Sequence, residues 1–279
     1  MVYDACSRRE LLAMLATGAS AAKAFADSGE PLQLAGLDHV AIAVTDVDRS
    51  LAFYSRIFGN TVLKDKRSTR RYLKLGPCYV AIAPPGQGQP AHRVDHICAG
   101  IQGFQMAAVK NFLAGRGIPS RESTVGLFAS DPDGIQIQLF TIDSWNELAT
   151  TAAPESIPPV ASIFRPTGLD HLLLRVTDPE KSAVFYAKIF GPVTQRANNR
   201  TWFQCGKSRI GLIAADNDHP TGVDHFCVSA DKFDYDAVTK KLEEAGAKVQ
   251  PPEVAGAPEF RDPENILVQV MAPRQAPPK

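Results

Sequence analysis

Apolar and polar residues alternate along LDHVAIAV, residues 37–44, and the alternation then gives way to a longer period. Over the next segment the apolar side chains recur three or four positions apart, at Leu51, Tyr54, Ile57 and Phe58. A period of two is typical of a strand with one buried face, and a spacing of three to four is typical of an amphipathic helix. The pattern therefore predicts a strand followed by a helix that packs on it.

Further strands follow this helix, and the strand–helix order then recurs. We predict strands at 61–66, 70–75 and 78–83, a second leading strand at 95–101 with a helix over 105–116, and closing strands at 120–125, 127–130 and 135–141. Gly59 and Gly117 follow the two predicted helices, where a glycine commonly ends a helix. The segment thus predicts two successive β-α-β-β-β units.

The whole arrangement is present twice. LDHVAIAVTDVDRSLAFYSRIFG at 37–59 aligns without gaps to LDHLLLRVTDPEKSAVFYAKIFG at 169–191, VDHICAG at 94–100 to VDHFCVS at 223–229, and SDPDGIQIQLF at 130–140 to RDPENILVQVM at 261–271. Such a repeat indicates a duplicated domain. We expect an α+β fold of two tandem domains, each made of paired β-α-β-β-β units. The predicted bounds are 36–141 for domain 1 and 168–272 for domain 2, with a polar, Pro-rich linker at 142–167 and a flexible tail at 273–279.

The composition is that of a globular protein with a sizeable core, since 44% of the 279 residues are hydrophobic and 22% are charged. The formal net charge is zero, which argues against a nucleic-acid-binding surface and against a polybasic membrane tail. No apolar run reaches the length of a membrane span. We therefore expect the partner to be a small-molecule ligand or substrate, with monomer and homodimer both open.

Residues 1–26 differ from the remainder and resemble an export signal. Arg8 and Arg9 precede a short stretch of Ala, Leu and Gly, and the tripeptide at 24–26 has the small-x-small pattern of a cleavage site. Paired arginines in this setting resemble a twin-arginine signal, which is bacterial and sends folded chains to the periplasm or beyond. An amphipathic N-terminal helix on a cytosolic protein is the alternative.

Cleavage of such a signal would leave four cysteines, Cys78, Cys98, Cys205 and Cys227, none of them in a CxxC spacing. A zinc knuckle is therefore not expected, although an oxidising compartment would permit a disulfide. Cys98 and Cys227 lie in apolar strands, and we expect both to be small buried residues.

Alternation also predicts which side chains share the polar face of each sheet. In domain 1, His39, His96 and Gln138 fall on the face opposite the apolar residues that would pack under the helices. Leu37 has the same register as His39, so the pattern places it on that polar face as well. The corresponding residues of domain 2 are His171, His225 and Gln269. Two imidazoles and a carboxamide would converge in each domain if the three strands are neighbours.

Four features together resemble the vicinal oxygen chelate superfamily. They are the paired β-α-β-β-β units, the LDHV opening, the FYxxIFG helix end and the DPDG turn before the last strand. This superfamily includes glyoxalase I, type I extradiol ring-cleaving dioxygenases, and fosfomycin- and bleomycin-resistance proteins. The resemblance covers residues 36–141 and 168–272. It implies the fold but not one reaction, because the scaffold hosts many chemistries.

The resemblance also implies where a metal ion would bind. On that basis His39 and His171 match the ligand on the first strand, His96 and His225 match the ligand that opens the second unit, and Gln138 and Gln269 stand where a glutamate is usual. The remaining ligand position, near Ala81 and near Gly211, holds no coordinating side chain. The expected cofactor is a divalent ion, Fe, Mn, Zn or Ni. A neutral amide in place of a carboxylate weakens such a site, so a metal-free pocket is the alternative.

Other side chains are candidates for contact with a substrate. Arg175 has the register that Ala43 has in domain 1, and an arginine there would bind a carboxylate or phosphate. The alternative is an edge arginine paired with Asp178 or Asp262. The full set of candidate substrate-binding residues is Arg175, Cys98, Cys227, Tyr72 and Trp202. His92 and His219 lie in loops and are expected to be solvated, whereas Tyr54 and Tyr186 are expected in the core.

Two functions remain open from the sequence, with a third ranked below them. An exported, metal-dependent dioxygenase-like or lyase/isomerase-like enzyme is the first, and a metal-free protein that sequesters a small molecule is the second. A degenerate domain that supports another enzyme is the third. The missing glutamates and the apolar strand faces favour the second, whereas the repeated His/His/Gln sets favour the first.

Overall fold

A computed structural model of the chain describes residues 32–158 and 161–273. The predicted export signal at 1–26 lies outside the described residues, as does most of the predicted tail. Each repeat forms one mixed β-sheet with two helices, so the predicted α+β fold of tandem paired β-α-β-β-β units is confirmed. Within the described ranges, no helix has the length and apolar character needed to span a membrane.

Domain 1 follows the predicted order of elements. These are β1 (Leu34–Ala43), α1 (Val47–Phe58), β2 (Val62–Asp65), β3 (Arg71–Leu75), β4 (Cys78–Ala83), β5 (Arg93–Ile101), α2 (Met106–Gly115), β6 (Ser120–Ser123), β7 (Gly126–Ser130) and β8 (Gln136–Thr141). The leading strands of the two units, β1 and β5, pair antiparallel at the centre of the sheet, and the last strand β8 pairs parallel to β5. The three strands that carry the predicted histidines and glutamine are therefore direct neighbours.

The segment predicted as a linker has structure of its own. It forms a 3₁₀ helix, η1 (Ser144–Thr150), and a strand, β9 (Ala152–Glu155). Strand β9 pairs antiparallel with β2, which gives domain 1 nine strands in the order β6-β7-β8-β5-β1-β4-β3-β2-β9. Because η1 precedes this added strand, it is held against the polar face of the domain 1 sheet.

Domain 2 repeats the architecture without the added strand. Its elements are β10 (Pro166–Val176), α3 (Pro179–Phe190), β11 (Val193–Ala197), β12 (Arg200–Cys205), β13 (Ser208–Ala214), β14 (Gly222–Ala230), α4 (Tyr235–Glu244), β15 (Lys248–Gln250), β16 (Glu259–Arg261) and β17 (Leu267–Met271). They form eight strands in the order β11-β12-β13-β10-β14-β17-β16-β15. Strand β10 here corresponds to β1, β14 to β5 and β17 to β8.

The first helix of each domain begins and ends as its sequence predicts. Asp46 caps α1 by accepting the backbone N–H of Arg49 at 2.9 Å, and Asp178 caps α3 in the same way. Gly59 and Gly191 end these helices with φ angles of 113° and 83°, a left-handed region that favours glycine.

The two domains share one apolar core, and the first helix of each domain contacts the other domain through a tyrosine. The hydroxyl of Tyr54 donates to Asp262 Oδ2 at 2.8 Å, and the hydroxyl of Tyr186 donates to Asp131 Oδ2 at 3.1 Å. Both tyrosines are fully buried, as predicted, but they bind the DP turn of the opposite domain. Burial raises the pKa of Asp131 and of Asp262, and hydrogen bonds from the tyrosine and from backbone N–H groups stabilise the ionised form of each carboxylate.

Each of the four Asp-His pairs lies in a β-bulge. Between β1 and β5 the register advances from Leu37/Ala99 to His39/Cys98, so Asp38 is an extra residue on β1. Asp95, Asp170 and Asp224 are the extra residues at the three equivalent places. The bulge reverses the alternation before His39, and Leu37 therefore lies in the core with the helices. The prediction that Leu37 shares the face of His39 is wrong for this reason.

Candidate functional site

Every histidine of the four bulges is bonded to the aspartate that precedes it. The Nδ1–Oδ distances are 2.8 Å for His39–Asp38, 2.9 Å for His96–Asp95, 2.6 Å for His171–Asp170 and 2.8 Å for His225–Asp224. An ionised carboxylate only accepts hydrogen bonds, so Nδ1 of each ring is the donor. A neutral ring that is protonated on Nδ1 has its lone pair on Nε2, and a metal ion binds this tautomer through Nε2.

In domain 2 the two histidines face each other directly. His171 Nε2 lies 3.2 Å from His225 Nε2, with the rings at 79° to each other. Two lone pairs at this distance repel unless a cation, a proton or a metal ion, lies between them. Two imidazole nitrogens that share one metal at about 2.1 Å stand about 3.0–3.4 Å apart. The spacing of these two rings therefore fits a shared ion.

Gln269 supplies an oxygen as a third donor atom in the cavity that the two histidines line. Its side-chain Nε2 donates to Glu259 Oε1 at 2.7 Å, and its Oε1 is buried without a hydrogen-bond partner. Because a carboxylate cannot donate, Glu259 determines which end of the amide faces it. The carbonyl oxygen of Gln269 is therefore turned away from Glu259. A buried oxygen without a hydrogen-bond partner destabilises the fold unless a bound ligand interacts with it. The donor set of two imidazoles and an amide oxygen fits a divalent ion.

Asp224 links this centre to Arg175. Burial opposes its ionisation, but the hydrogen bond and charge of His225, together with Arg175, lower the pKa of Asp224 to about 2. The carboxylate therefore stays ionised and keeps the Nδ1 proton of His225 in place. Arg175 is paired with Asp224 through Nε, and not with Asp178 or Asp262 as considered from the sequence.

The centre opens into a cavity of about 320 Å³, called here the domain-2 cavity. Its lining is His171, Leu173, Arg200, Trp202, Arg209, His225, Glu253, Val254, Gln269 and Met271. Trp202 stands edge-on to His171, with ring centroids 5.4 Å apart. Gly211 makes room for it, since a Cβ there would meet Trp202 Cζ3 at 2.7 Å. The cavity thus combines an apolar body with a few polar groups, as ligand sites do.

The predicted set in domain 1 is also brought together, in a different arrangement. His39 Nε2 lies 3.1 Å from Gln138 Oε1, and the rings of His39 and His96 are 5.6 Å apart. The amide nitrogen of Gln138 donates to Val125 O, which turns its oxygen toward His39. Burial lowers the pKa of His96, so this ring stays neutral at physiological pH.

The domain 1 set is covered by side chains. The ring of Tyr79 stacks on His39 at 4.5 Å, and the hydroxyl of Ser144 in η1 bonds to both Asp38 and Tyr79. An apolar cluster fills the rest of this face, formed by Ala41, Tyr72, Tyr79, Ala81, Leu148 and Ala152. Because η1 and β9 belong to domain 1 alone among the described residues, the two sites differ in the side chains packed over them.

The candidate substrate residues are distributed over several places. Trp202 lines the domain-2 cavity, whereas Tyr72 belongs to the cluster that covers domain 1. Cys98 and Cys227 are fully buried, and burial raises the pKa of both thiols. Ligand atoms of Asp38, His39 and Cys98 lie within 4.8 Å of one another, and the equivalent group recurs in domain 2. The carboxylate in each group already accepts the Nδ1 proton of its histidine, so the Nε2 side is the better metal position.

Arg175 lies outside the domain-2 cavity, in a cleft of about 450 Å³ between the domains. His92 and His219 line the same cleft with side chains that are about half exposed. His92 pairs with Glu264 at 2.7 Å, and His219 pairs with Asp216 at 2.8 Å. The loop histidines are therefore solvated groups held by a carboxylate.

Sequence reasoning missed three polar residues that line the domain-2 cavity, Arg200, Arg209 and Glu253, and it missed Glu259, the partner of Gln269. Glu259 pairs with Gln269 across the last hairpin, where domain 1 has Phe128 opposite Gln138. Aligning the closing hairpins of the two domains strand by strand would have revealed this glutamate. Arg209 is paired in register with His171, as Tyr79 is with His39, and the same alignment would have revealed it.

Known proteins share this fold across most of the chain. The 2,3-dioxygenase LapB from Pseudomonas sp. KL28 has a TM-score of 0.63 at 12% identity, covering 86% of this chain and 93% of LapB. The Mn(II)-bound glyoxalase from Novosphingobium aromaticivorans has a TM-score of 0.62 at 14% identity, covering 86% of this chain and 82% of that one. Such likeness concerns the fold alone.

Sequence comparison finds a curated relative and a family. A lactoylglutathione lyase of Schizosaccharomyces pombe is 25% identical over 207 residues, which are 58% of this chain and 62% of the relative, so the chain spans less than two thirds of that protein. The family model matches residues 36–139 and 168–270, the two repeats. The chain belongs to the Glyoxalase/Bleomycin resistance protein/Dioxygenase superfamily.

Proposed function

We propose that the protein is a metal-dependent enzyme whose active site is the domain-2 cavity, with His171 Nε2, His225 Nε2 and Gln269 Oε1 as the metal ligands. The observation that carries the proposal is the unpartnered Gln269 oxygen in the cavity that His171 and His225 also line, where their two ring nitrogens stand 3.2 Å apart. A proton shared by the two rings would relieve their repulsion but would leave the amide oxygen without a donor. A divalent ion satisfies all three atoms.

The residues around the three ligands keep them ready for an ion. Asp170 and Asp224 hold the Nδ1 protons, and Glu259 holds the amide of Gln269. Such partners of metal ligands fix the tautomer and orientation of each ligand. A bound divalent ion would supply Lewis-acid chemistry toward two neighbouring oxygen atoms of a small substrate. Trp202 and the apolar side chains of the cavity would keep bulk water from that substrate.

The donor set favours a lyase- or isomerase-type reaction over oxygen activation. Two imidazoles and an amide are all neutral, so they leave the full positive charge of the ion available to polarise a substrate oxygen. Oxygenases that use Fe(II) commonly add a carboxylate to two histidines. Among the relatives, one is a lactoylglutathione lyase, one a 2,3-dioxygenase and one a Mn(II)-bound glyoxalase. The ion itself, Fe, Mn, Zn or Ni, is to be found by reconstitution.

The test is metal content, measured by elemental analysis of the full chain after chelation and reconstitution with each of the four ions. We expect about one ion per chain, lost in His171→Ala and His225→Ala and kept in the matched domain 1 variants His39→Ala and His96→Ala. Thermal melts should show that each variant is folded. Equal metal content in all four variants, or none in the wild type with any ion, would contradict the proposal.

A metal-free binding protein is the second candidate, favoured by the apolar lining of the domain-2 cavity. It differs from the first in one measurable respect. A ligand that binds without a metal raises the melting temperature equally with and without a chelator, whereas a metal-dependent substrate stabilises the protein only when the ion is present.

Export by the twin-arginine route is the remaining part of the proposal and is supported by Arg8, Arg9 and the tripeptide at 24–26. Expression of the full chain in a bacterium, followed by mass spectrometry of the periplasmic fraction, should find a product that begins at Asp27. The variant with both arginines replaced by lysine should stay in the cytoplasm. A periplasmic product from that variant would rule out this route.

A further inference from the structure

Arg209 is a cation in the lining of the domain-2 cavity. Within the described ranges, no acidic oxygen lies within ion-pair distance of its guanidinium, whose Cζ stands 4.4 Å from the ring centroid of Trp202. Its Nε is buried and has no hydrogen-bond partner, and its Nη1 makes only a long contact of 3.5 Å with Gln195. A buried N–H group of a cation without an acceptor is costly, so this arrangement favours binding of an anion.

Arg200, the second arginine of the cavity, is different because it already has an acid. Its Nη2 pairs with the carboxylate of Glu253, although its Nε is also buried without a partner. The two arginines and Glu253 together leave one positive charge in the lining of the cavity. Arg200 remains able to donate one further hydrogen bond through Nε.

His171 and Arg209 lie side by side in the cavity. Strands β10 and β13 pair the two residues in parallel register, so both side chains leave the sheet on the same face. The indole of Trp202 contacts both, with ring centroids 5.4 Å apart for His171 and with the Cζ atom of Arg209 4.4 Å from the ring centroid. A single small molecule can therefore reach His171 and the guanidinium of Arg209 at once.

Domain 1 lacks this charge. The residue paired with His39 in the same register is Tyr79, which stacks on the imidazole and bonds to Ser144. An arginine at this register position is therefore particular to domain 2.

We infer that the substrate is a small carboxylate, with its acid group bound by Arg209 and its oxygen-bearing end at His171, His225 and Gln269. Only the position of the oxygen-bearing end of the substrate rests on the proposed function. A flat guanidinium whose face is covered by Trp202 offers its edge, and the edge matches a carboxylate in two parallel hydrogen bonds. The volume of about 320 Å³ is near the lower limit for ligand pockets, which favours a molecule of about one ring.

The chain contains two tryptophans, so the variant Trp145→Phe leaves Trp202 as the only source of indole fluorescence. In that background the quenching of Trp202 measures binding in the cavity itself. The probes are catechol and 3,4-dihydroxybenzoate, which differ by one carboxylate, together with benzoate and phenyl phosphate. Each is titrated with the reconstituted ion and again after chelation.

We expect 3,4-dihydroxybenzoate to bind more tightly than catechol and to lose about 10- to 100-fold in affinity in Arg209→Met. Arg209→Lys should lose less, since it keeps the charge but not the paired hydrogen bonds. Arg196→Met is the matched control, because Arg196 lies on β11 of the same domain, is paired with Glu180, and does not line the cavity. Catechol should bind equally to the Arg209 and Arg196 variants.

The two proposals fail in different ways. If catechol and 3,4-dihydroxybenzoate bind equally, need the metal and ignore Arg209→Met, the metal site stands and the carboxylate inference is overturned. If 3,4-dihydroxybenzoate binds no more tightly than benzoate, ignores the chelator and is lost in Arg209→Met, the carboxylate site stands and the metal proposal fails. Tighter binding of phenyl phosphate than of benzoate would overturn the assignment of a carboxylate.

Discussion

Gln269 and Glu259 face each other across the last two strands of domain 2, and the amide nitrogen of Gln269 donates to Glu259 Oε1 at 2.7 Å. Glu259 is buried and also accepts the backbone N–H of Glu253 at 3.1 Å. A glutamate at position 269 would place a second buried carboxylate beside the first, where like charges repel. This pair gives a physical reason for an amide at the ligand position.

Exchanging the two side chains should strengthen metal binding. The double variant E259Q/Q269E keeps the net charge, puts a carboxylate at the ligand position and leaves an amide donor beside it. We expect it to bind the ion about 10-fold more tightly than the wild type, and Glu259→Gln alone to bind about 10-fold more weakly. Competition with a fluorescent chelator measures both. The control is Gln138→Glu in domain 1, where a comparable gain would contradict the assignment of the ion to domain 2.

The cross-domain tyrosines should stabilise the whole chain. Tyr54→Phe removes the donor at 2.8 Å from the buried Asp262, and Tyr186→Phe removes the one at 3.1 Å from Asp131. We expect each change to lower the free energy of unfolding by about 1–3 kcal/mol, because a buried carboxylate loses a partner. Urea unfolding followed separately at Trp145 and Trp202 should give one shared transition in each variant. Two separate transitions in the wild type would contradict a common core.

Acid should destabilise the protein partly through Glu264. Burial opposes ionisation of this side chain, but hydrogen bonds from Thr45 and Arg49 and the charge of His92 lower its pKa from the ordinary value of 4.5. The unfolded chain then binds the proton more readily, so the stabilising contribution is complete above pH 4.5 and is lost as the pH falls through the lower folded pKa.

In Glu264→Gln the free energy of unfolding should therefore fall less steeply on acidification than in the wild type. Asp133→Asn is the matched control, since Asp133 holds the same turn position in domain 1 and accepts from Thr177 at 3.0 Å. Urea unfolding between about pH 3 and pH 7, a range that brackets ordinary carboxyl pKa values near 4, measures the free energy of unfolding of the wild type and both variants. If the free energy of unfolding of Glu264→Gln falls as steeply with acidification as that of the wild type, Glu264 does not make this contribution.

The 3₁₀ helix η1 should hold the cover of domain 1 in place. Leu148 is 7% exposed and packs in the cluster over His39, so Leu148→Ala should cost about 2–4 kcal/mol of stability. Thr150→Ala, at an exposed position of the same helix, is the control and should change little. Thermal and urea melts measure both, and metal content should stay unchanged because the proposed site lies in domain 2.

Much of the fold could be predicted because the signals are local. The predicted strands begin and end within about three residues of the observed ones, since a period of two requires nothing beyond the strand itself. The same alternation placed His39 with Gln138 and His171 with His225. In the structure β5 pairs with both β1 and β8, β10 pairs with β14, and the side chains of each set lie close together.

Features that depend on pairing between segments could not be predicted in this way. The bulges at the Asp-His pairs arise where one strand has an extra residue relative to its partner. The bulge at Asp38 directs the side chain of Leu37 into the core. The partner of Arg175 is decided by the neighbouring strand β14, which carries Asp224. No single strand contains this information.

The sequence by itself determined a duplicated α+β architecture and two His/His/Gln sets, because repeats and periodicity are written in consecutive residues. Only the tertiary structure decided that the two sets are unequal. Strand β9 and η1 fold back over domain 1, while in domain 2 Glu259 orients Gln269 and Arg209 adds a charge to an open cavity. These differences come from contacts between residues that are distant in the chain, and their free energies depend on burial and distance that the sequence order does not contain.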